Sequence, residues 1–271
     1  MAAIDLTQLR KQITDLEGNF QNPQAFVKAY HEILGFYHRY SHRPNKDALP
    51  KSFMRTYDLP PQIPPQIEQG LKKSVQEDPQ ATMRLVEFLW QDNYFESRDL
   101  AAFLLGRLPA SYAETVIKII RDWLASPLDR AVVESIFSKV TSTLQAQAPE
   151  AWEVLITQLL ESSDHKLQNY GLQGLTMSIQ KQNLADLVVL FKLLRPFIQS
   201  APDALQVNLG KTIAALADRT PFETAYLLKQ VLADTPGKSI ERQMRSYLPF
   251  FPEENAASLS AAIKTHAEME S

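Results

Sequence analysis

The chain has 271 residues, 45% of them hydrophobic and 22% charged, with 28 Lys and Arg against 31 Asp and Glu for a net charge of −3. That balance excludes a disordered or fibrous class and is not the strongly basic one of a dedicated nucleic-acid binder. The absence of cysteine excludes disulfides, thiolate nucleophiles and Cys-ligated metal sites.

Eight Gly against 17 Pro gives few tight turns and many places where a helix starts or stops. Apolar residues recur at helical spacing, as in Tyr112, Val116, Ile119 and Trp123 or Leu205, Leu209, Ile213 and Leu216. The expectation is an all-α chain. Apolar runs such as "LADLVVLFKLL" are broken by charge, and the start "MAAIDLTQLRKQITDLEGNF" lacks the pattern of a secretory signal. A soluble, cytoplasmic protein with no membrane partner is expected.

In chain order, residues 1 to about 43 predict two helices, the second carrying "YHEILGFYHRYSH". From Lys28 to Arg55 six basic residues face two acidic ones. Tyr37, His38, Arg39, Tyr40 and Arg43, with Lys51 and Arg55 downstream, interleave cations with aromatics, a pattern that suits a phosphate backbone or an acidic partner. His38 and His42 share the i, i+4 spacing of a metal pair, but no Glu completes an "HExxH" arrangement, so no metal is expected. The proline-rich stretch "RPNKDALPKSFMRTYDLPPQIPPQ" is the one long loop, followed by a helix from about Gln66.

Further on, helices come in pairs. First members start near Tyr94, Leu128, Asp164, Asp203 and Lys238, and second members near Ser111, Glu150, Leu184, Pro221 and Glu253, a period of about 34 to 39 residues. A hairpin of that size cannot bury its apolar face alone, so neighbours stack into an α-α superhelix with a concave surface. Ser111, Ser163 or Asp164, and Ser239 are candidate helix caps, and Pro196 should kink or end its helix. Residues 1–60 are thus expected to form an N-terminal helical cap with a proline-rich basic loop, and 61–271 a helical repeat domain. With no Gly-rich phosphate loop and no Gly-flanked Ser, no nucleotide or other cofactor is expected.

"FMRTYDLPPQIPPQIEQGLKK", "LVEFLWQDNYFESRDLAAFLL", "RDWLASPLD" and "LLESSDHKLQNYGLQGL" occur in an order that resembles the bacterial DNA alkylation repair family, HEAT-like solenoids that remove alkylated purines from DNA. The likeness covers roughly residues 50 to 200. Its most specific part is Leu89-Trp90 followed by Glu96, Arg98 and Ala101-Ala102. The family's catalytic helix carries a Trp and, one turn later, an Asp in a basic groove lined by aromatics. The resemblance gives Trp123 as that Trp, Trp152 as a second groove aromatic and Asp129 as the carboxylate, with Pro127 at the one-turn position. Where the family places paired Arg residues against the DNA backbone, this chain has Gln168, Asn169 and Tyr170. The expectation that follows is a divergent relative, a scaffold holding protein or DNA along its concave face. An alkylpurine DNA glycosylase is the alternative, with Asp129, Trp123 and Trp152 as its catalytic residues.

Overall fold

The computed structural model describes residues 5–38, 54–180 and 187–269. The helices are α1 (Leu6–Gly18), α2 (Pro23–His38), α3 (Ile63–Glu77), α4 (Pro79–Gln91), α5 (Phe95–Leu105), α6 (Ala113–Ala125), α7 (Arg130–Ser135), α8 (Ser142–Gln147), α9 (Pro149–Leu160), α10 (His165–Gln180), α11 (Leu187–Ser200), α12 (Asp203–Arg219), α13 (Pro221–Asp234), α14 (Lys238–Tyr247) and α15 (Glu253–Met269). Among the described residues there is no strand, and the one isolated β-bridge joins Arg55 to Tyr94. The chain is all-α, and among the described residues no helix is long and apolar enough to cross a membrane.

Local signals set many of these boundaries. Asp5 accepts hydrogen bonds from the Thr7 and Gln8 amides at 2.8 and 3.1 Å and so opens α1. Asp78 ends α3 and caps α4 through the Ala81 amide at 2.8 Å. Asp164 does the same for α10, accepting from the Lys166 amide at 2.8 Å. The first members of the pairs begin at residues 95, 130, 165, 203 and 238, close to the starts read from the sequence.

Three sequence expectations are corrected and a fourth is narrowed. The third helix begins at Ile63 rather than Gln66, because Pro64 and Pro65 fit the first turn, where an amide proton has no helical partner. Ser111 lies inside a 3₁₀ turn, Ala110–Tyr112, and caps nothing. Ser239 lies within α14, whose N-cap is Gly237 at φ +108°, a left-handed backbone that glycine adopts without strain. Of the two outcomes expected at Pro196, a kink or an end, the helix does not end there and runs on to Ser200.

The chain divides into two compact units, residues 1–151 and 152–271. In the first, α1 packs on α2 and α3, α2 on α4, α3 on α4 and α5, and α5 on α7. Its buried side chains include Leu9, Leu16, Phe26, Leu34, Ile63, Leu71, Leu85, Leu89 and Phe137. Full burial of each such side chain contributes about 1.5–3 kcal/mol. Between α7 and α8 the backbone forms a π-helical segment, Ile136–Thr141, against which the end of α5 packs. In the second unit α10 packs on α12, α11 on α13, α12 on α13 and α14, and α13 on α14 and α15. Helices therefore touch neighbours one and two places along the chain.

Polar bonds tie α10 to α12. The Asn208 side-chain amide donates to Asn169 Oδ1 at 2.8 Å, Asn169 donates to the Ala204 carbonyl at 3.1 Å, and Arg219 donates to the Gln180 carbonyl at 2.9 Å. The Thr176 and Thr212 hydroxyls meet at 2.9 Å. Asn169, one of the residues standing where the resemblance calls for arginine, is thus engaged in holding α12.

Candidate functional site

The elbow between α4 and α5 gathers a cluster of hydrogen bonds in the first unit. Phe95 donates its amide to the Arg55 carbonyl at 2.9 Å, which fastens the segment before α3 along the elbow. Glu96 secures it further: its Oε1 accepts from the Thr56 hydroxyl and the Tyr57 amide, both at 2.7 Å. Only 7% of Glu96 is exposed, and its Oε2 is buried without a hydrogen-bond partner. Asp58, at φ +46°, turns the segment and donates its amide to Thr56 Oγ1.

His31 on α2 reaches into the same corner. Its Nε2 donates to Asp92 Oδ2 at 2.7 Å, and its Nδ1 lies 3.0 Å from the Tyr57 hydroxyl. With the proton on Nε2, a neutral imidazole accepts the Tyr57 proton at Nδ1. Asp92 also accepts from the Ser97 hydroxyl at 2.5 Å and the Asn93 amide at 2.6 Å. The Tyr57 and Tyr94 rings stack at 4.7 Å, and His31 meets the Tyr94 ring edge-on at 5.1 Å. Burial, together with the neighbouring Tyr94, Asp92 and Glu96, pushes the Tyr57 phenol up to about 12, so it stays a protonated donor at neutral pH.

Next to this cluster, Trp90 and Trp123 lie face to face, with ring centroids 3.7 Å apart and planes 5° from parallel. Trp123 is 7% exposed, whereas Trp90 is partly exposed. The Arg98 guanidinium sits 5.1 Å from the Trp90 ring centroid, and its Nε donates to the Asp92 carbonyl at 3.3 Å. Arg98 therefore bonds its own elbow. Deeper in this unit, Lys139 on the π-helical segment pairs with Glu68 and, at 2.6 Å, with Asp99, which also accepts from the Ser135 hydroxyl. Burial works against the Lys139 ammonium, but Asp99 and Glu68 outweigh it and raise its pKa above the ordinary 10.5.

The other residues singled out from the sequence are spread more widely. Asp129 is the N-cap of α7, its Oδ1 accepting from the Ala131 amide at 2.8 Å. Trp152, in the second unit, is 2% exposed and its indole Nε1 is buried without a hydrogen-bond partner. Tyr37 is buried and donates to Gln12 at 3.0 Å, so it belongs to the packing of α1 against α2. His38 is exposed and donates from Nδ1 to the Tyr57 carbonyl. Arg55 is exposed, while Arg39, Tyr40, Arg43 and Lys51, with His42, lie outside the described residues.

The family model for the DNA alkylation repair enzyme matches residues 59–242, which is 184 of the 271 residues. The chain belongs to the DNA alkylation repair enzyme family. No curated protein matches it. The matched region contains the elbow with Trp90, Glu96 and Arg98, the Trp123 helix and Asp129. It starts after Tyr57 and so excludes α1, α2 and His31, although His31 and Tyr57 complete the hydrogen bonding of this family member's elbow.

Three of the residues that organise this corner, His31, Tyr57 and Asp92, carry no sequence signal that joins them. They are separated by 26 and 35 positions and share no periodic pattern. The nearest signal was the "LW…E.R" motif itself, which marks the elbow but not what docks on it.

Proposed function

We propose that this member of the DNA alkylation repair enzyme family is a HEAT-like binding scaffold, which holds a macromolecular partner and does not excise bases through Asp129. The observation that carries the reading is the Trp90–Trp123 stack. A groove aromatic that grips a damaged base must offer a ring face, and the Trp123 face toward Trp90 is covered at van der Waals distance, with 7% of the residue exposed. Two further features support it. The Asp129 carboxylate is occupied as a helix cap, and Asn169 serves the α10–α12 seam at a position where the family resemblance calls for a phosphate-binding arginine.

The superhelical arrangement belongs to the same proposal. Packing of each helix on neighbours one and two places along, at starts about 35 residues apart, supports serial stacking of hairpins with a curved face for a guest. The start of the family match at residue 59 supports reading residues 1–60 as a cap on a repeat domain that runs from 61 to 271. We place the protein in the cytoplasm and its partner, protein or DNA, on the concave face.

A glycosylase remains the second reading, favoured by the description of the family as enzymes. The deciding experiment measures release of methylated purines from alkylated duplex DNA by the wild-type chain and by Asp129→Asn. No release above the uncatalysed rate is the expected result. Release that disappears in Asp129→Asn overturns the scaffold reading and makes Asp129, Trp123 and Trp152 catalytic residues.

A further inference from the structure

The second unit carries exposed apolar side chains that its own packing does not use. In it α11 packs on α13 and α13 on α15, so these three helices form one layer. On that layer Val188 is 73% exposed, Phe222 64% and Tyr226 60%. Phe222 and Tyr226 are four positions apart on α13 and share a face. Gln230, one turn further, donates its side-chain amide to the Tyr226 hydroxyl at 2.8 Å and steadies the ring.

The register of α11 against α13 brings Val188 to the same place. Residues 201–202 and residue 220 are the only links between α11, α12 and α13, and connections that short make successive helices antiparallel, so α11 and α13 run the same way. Arg195 on α11 pairs with Asp234 on α13, 39 positions later. The same offset sets Val188 level with Leu227, next to Tyr226. Opposite charges lie on either side of this level, with Glu223 one turn before it on α13 and Lys192 one turn after it on α11. Both are exposed, and neither forms an ion pair among the described residues.

We propose that this patch is the contact surface for a second copy of the chain, related to the first by a two-fold axis that crosses α11 and α13 at the level of Tyr226. Such an axis turns the facing helices antiparallel, so whatever lies one turn before the axis meets what lies one turn after it. Glu223 of each copy then faces Lys192 of the other, Phe222 comes over the exposed Ala233, and the two Tyr226 rings meet near the axis. A partner carrying one sign of charge meets repulsion at Glu223 or at Lys192, and an anionic surface is repelled also by Glu253 and Glu254 in the first turn of α15. A second copy carries both signs in the arrangement required.

The area sets the strength. Val188, Phe222 and Tyr226 offer about 400 Å² of surface, as much as the largest apolar patch of an ordinary monomer. A standard interface takes about 800 Å² from each partner, so the flanking charges are needed to complete this one, and a dissociation constant on the order of micromolar follows. The surface is separate from the α4–α5 elbow, and the inference goes beyond the scaffold reading without depending on it.

The test is sedimentation velocity of the full chain over rising concentration, with a thermal melt of each variant. The wild type should pass from monomer to dimer, and the pair Phe222→Ser and Tyr226→Ser should weaken the dimer on the order of a hundredfold. Glu223→Lys alone and Lys192→Glu alone each set like charges face to face twice, and each should weaken it on the order of tenfold. An equimolar mixture of those two variants should regain the wild-type association, because every contact between them joins opposite charges, an outcome that a merely structural role for either residue does not give. A wild type that stays monomeric overturns the proposal and leaves the patch to a different protein or a membrane surface. So does a dimer indifferent to folded Phe222→Ser and Tyr226→Ser, or a mixture that associates no better than its parts. If the serine variants fail to fold, the charge variants decide the matter.

Discussion

The Glu96 side chain accepts the Tyr57 backbone amide at 2.7 Å across 39 positions of sequence, and by that bond the segment before α3 is fixed to the start of α5. The same oxygen takes the Thr56 hydroxyl, so one buried carboxylate serves two donors. Glu96→Ala removes the one acceptor of both donors, and water can replace it only in part. A loss of about 2 kcal/mol is expected, measured as a drop in the midpoint of urea unfolding. Glu96→Gln keeps a carbonyl oxygen as acceptor and should cost less than half as much. Equal midpoints for wild type and Glu96→Ala would mean that the segment docks without this bond.

Much of this architecture was legible in the sequence, and the parts that were not share a cause. The start of α10 was readable because Asp164 acts on an amide two residues away, a range that spacing encodes. Ser239 was misread because serine at a helix start is ambiguous, and the positive φ of Gly237 just before it decides where the helix begins. The elbow was recognisable from Trp90, Glu96 and Arg98, yet the identity of its partners was not. His31, Tyr57 and Lys139 reach it from distant positions, and no local pattern announces a hydrogen bond between residues 31 and 92. The Trp123 stripe suggested burial correctly, but only coordinates reveal that it is Trp90 that covers it.

Two buried glycines separate backbone from side-chain crowding. A Cβ on Gly106 would lie 2.3 Å from the Lys139 carbonyl oxygen and 2.8 Å from Val140 Cα, both backbone atoms of the π-helical segment. Gly106→Ala must therefore push α5 away from that segment, and a loss of about 3 kcal/mol is expected. At Gly171 the nearest atoms are the Leu160 side chain at 2.9 and 3.0 Å, which can change rotamer. Alanine there also gains helix propensity in the interior of α10, so Gly171→Ala should stay within about 1 kcal/mol of wild type. Calorimetric melting temperatures test the contrast, and a Gly171→Ala penalty equal to that of Gly106→Ala would refute it.

Asp129 can be probed for capping and for chemistry separately. Its Oδ1 accepts the Ala131 amide, a bond that an asparagine side chain reproduces and alanine does not. Asp129→Asn should melt within a few tenths of a kcal/mol of wild type, and Asp129→Ala should lose about 1 kcal/mol. Asparagine is therefore the variant for the base-release assay, since it removes the negative charge while keeping α7 capped. A large destabilisation by asparagine would show that the charge itself holds the helix.

Lys139 gives the fold a dependence on alkaline pH. Its ammonium joins Glu68 on α3 to Asp99 on α5 from the π-helical segment, and those carboxylates raise its pKa above 10.5 despite burial. A lysine whose folded pKa is raised contributes stability that is fully present below its unfolded value and fades as pH climbs through the folded one. The contribution is therefore constant through neutral pH and is lost above 10.5. Lys139→Met removes the titrating group and leaves two partly buried carboxylates facing each other without a cation, so at pH 7 it should lose about 3 kcal/mol. Its residual stability should then fall less steeply than that of wild type as the pH is taken above 10.5. Urea unfolding of both chains on either side of that pH checks the sign, and a wild-type curve that declines no faster than that of Lys139→Met would show that the ion triad does not supply the alkaline transition.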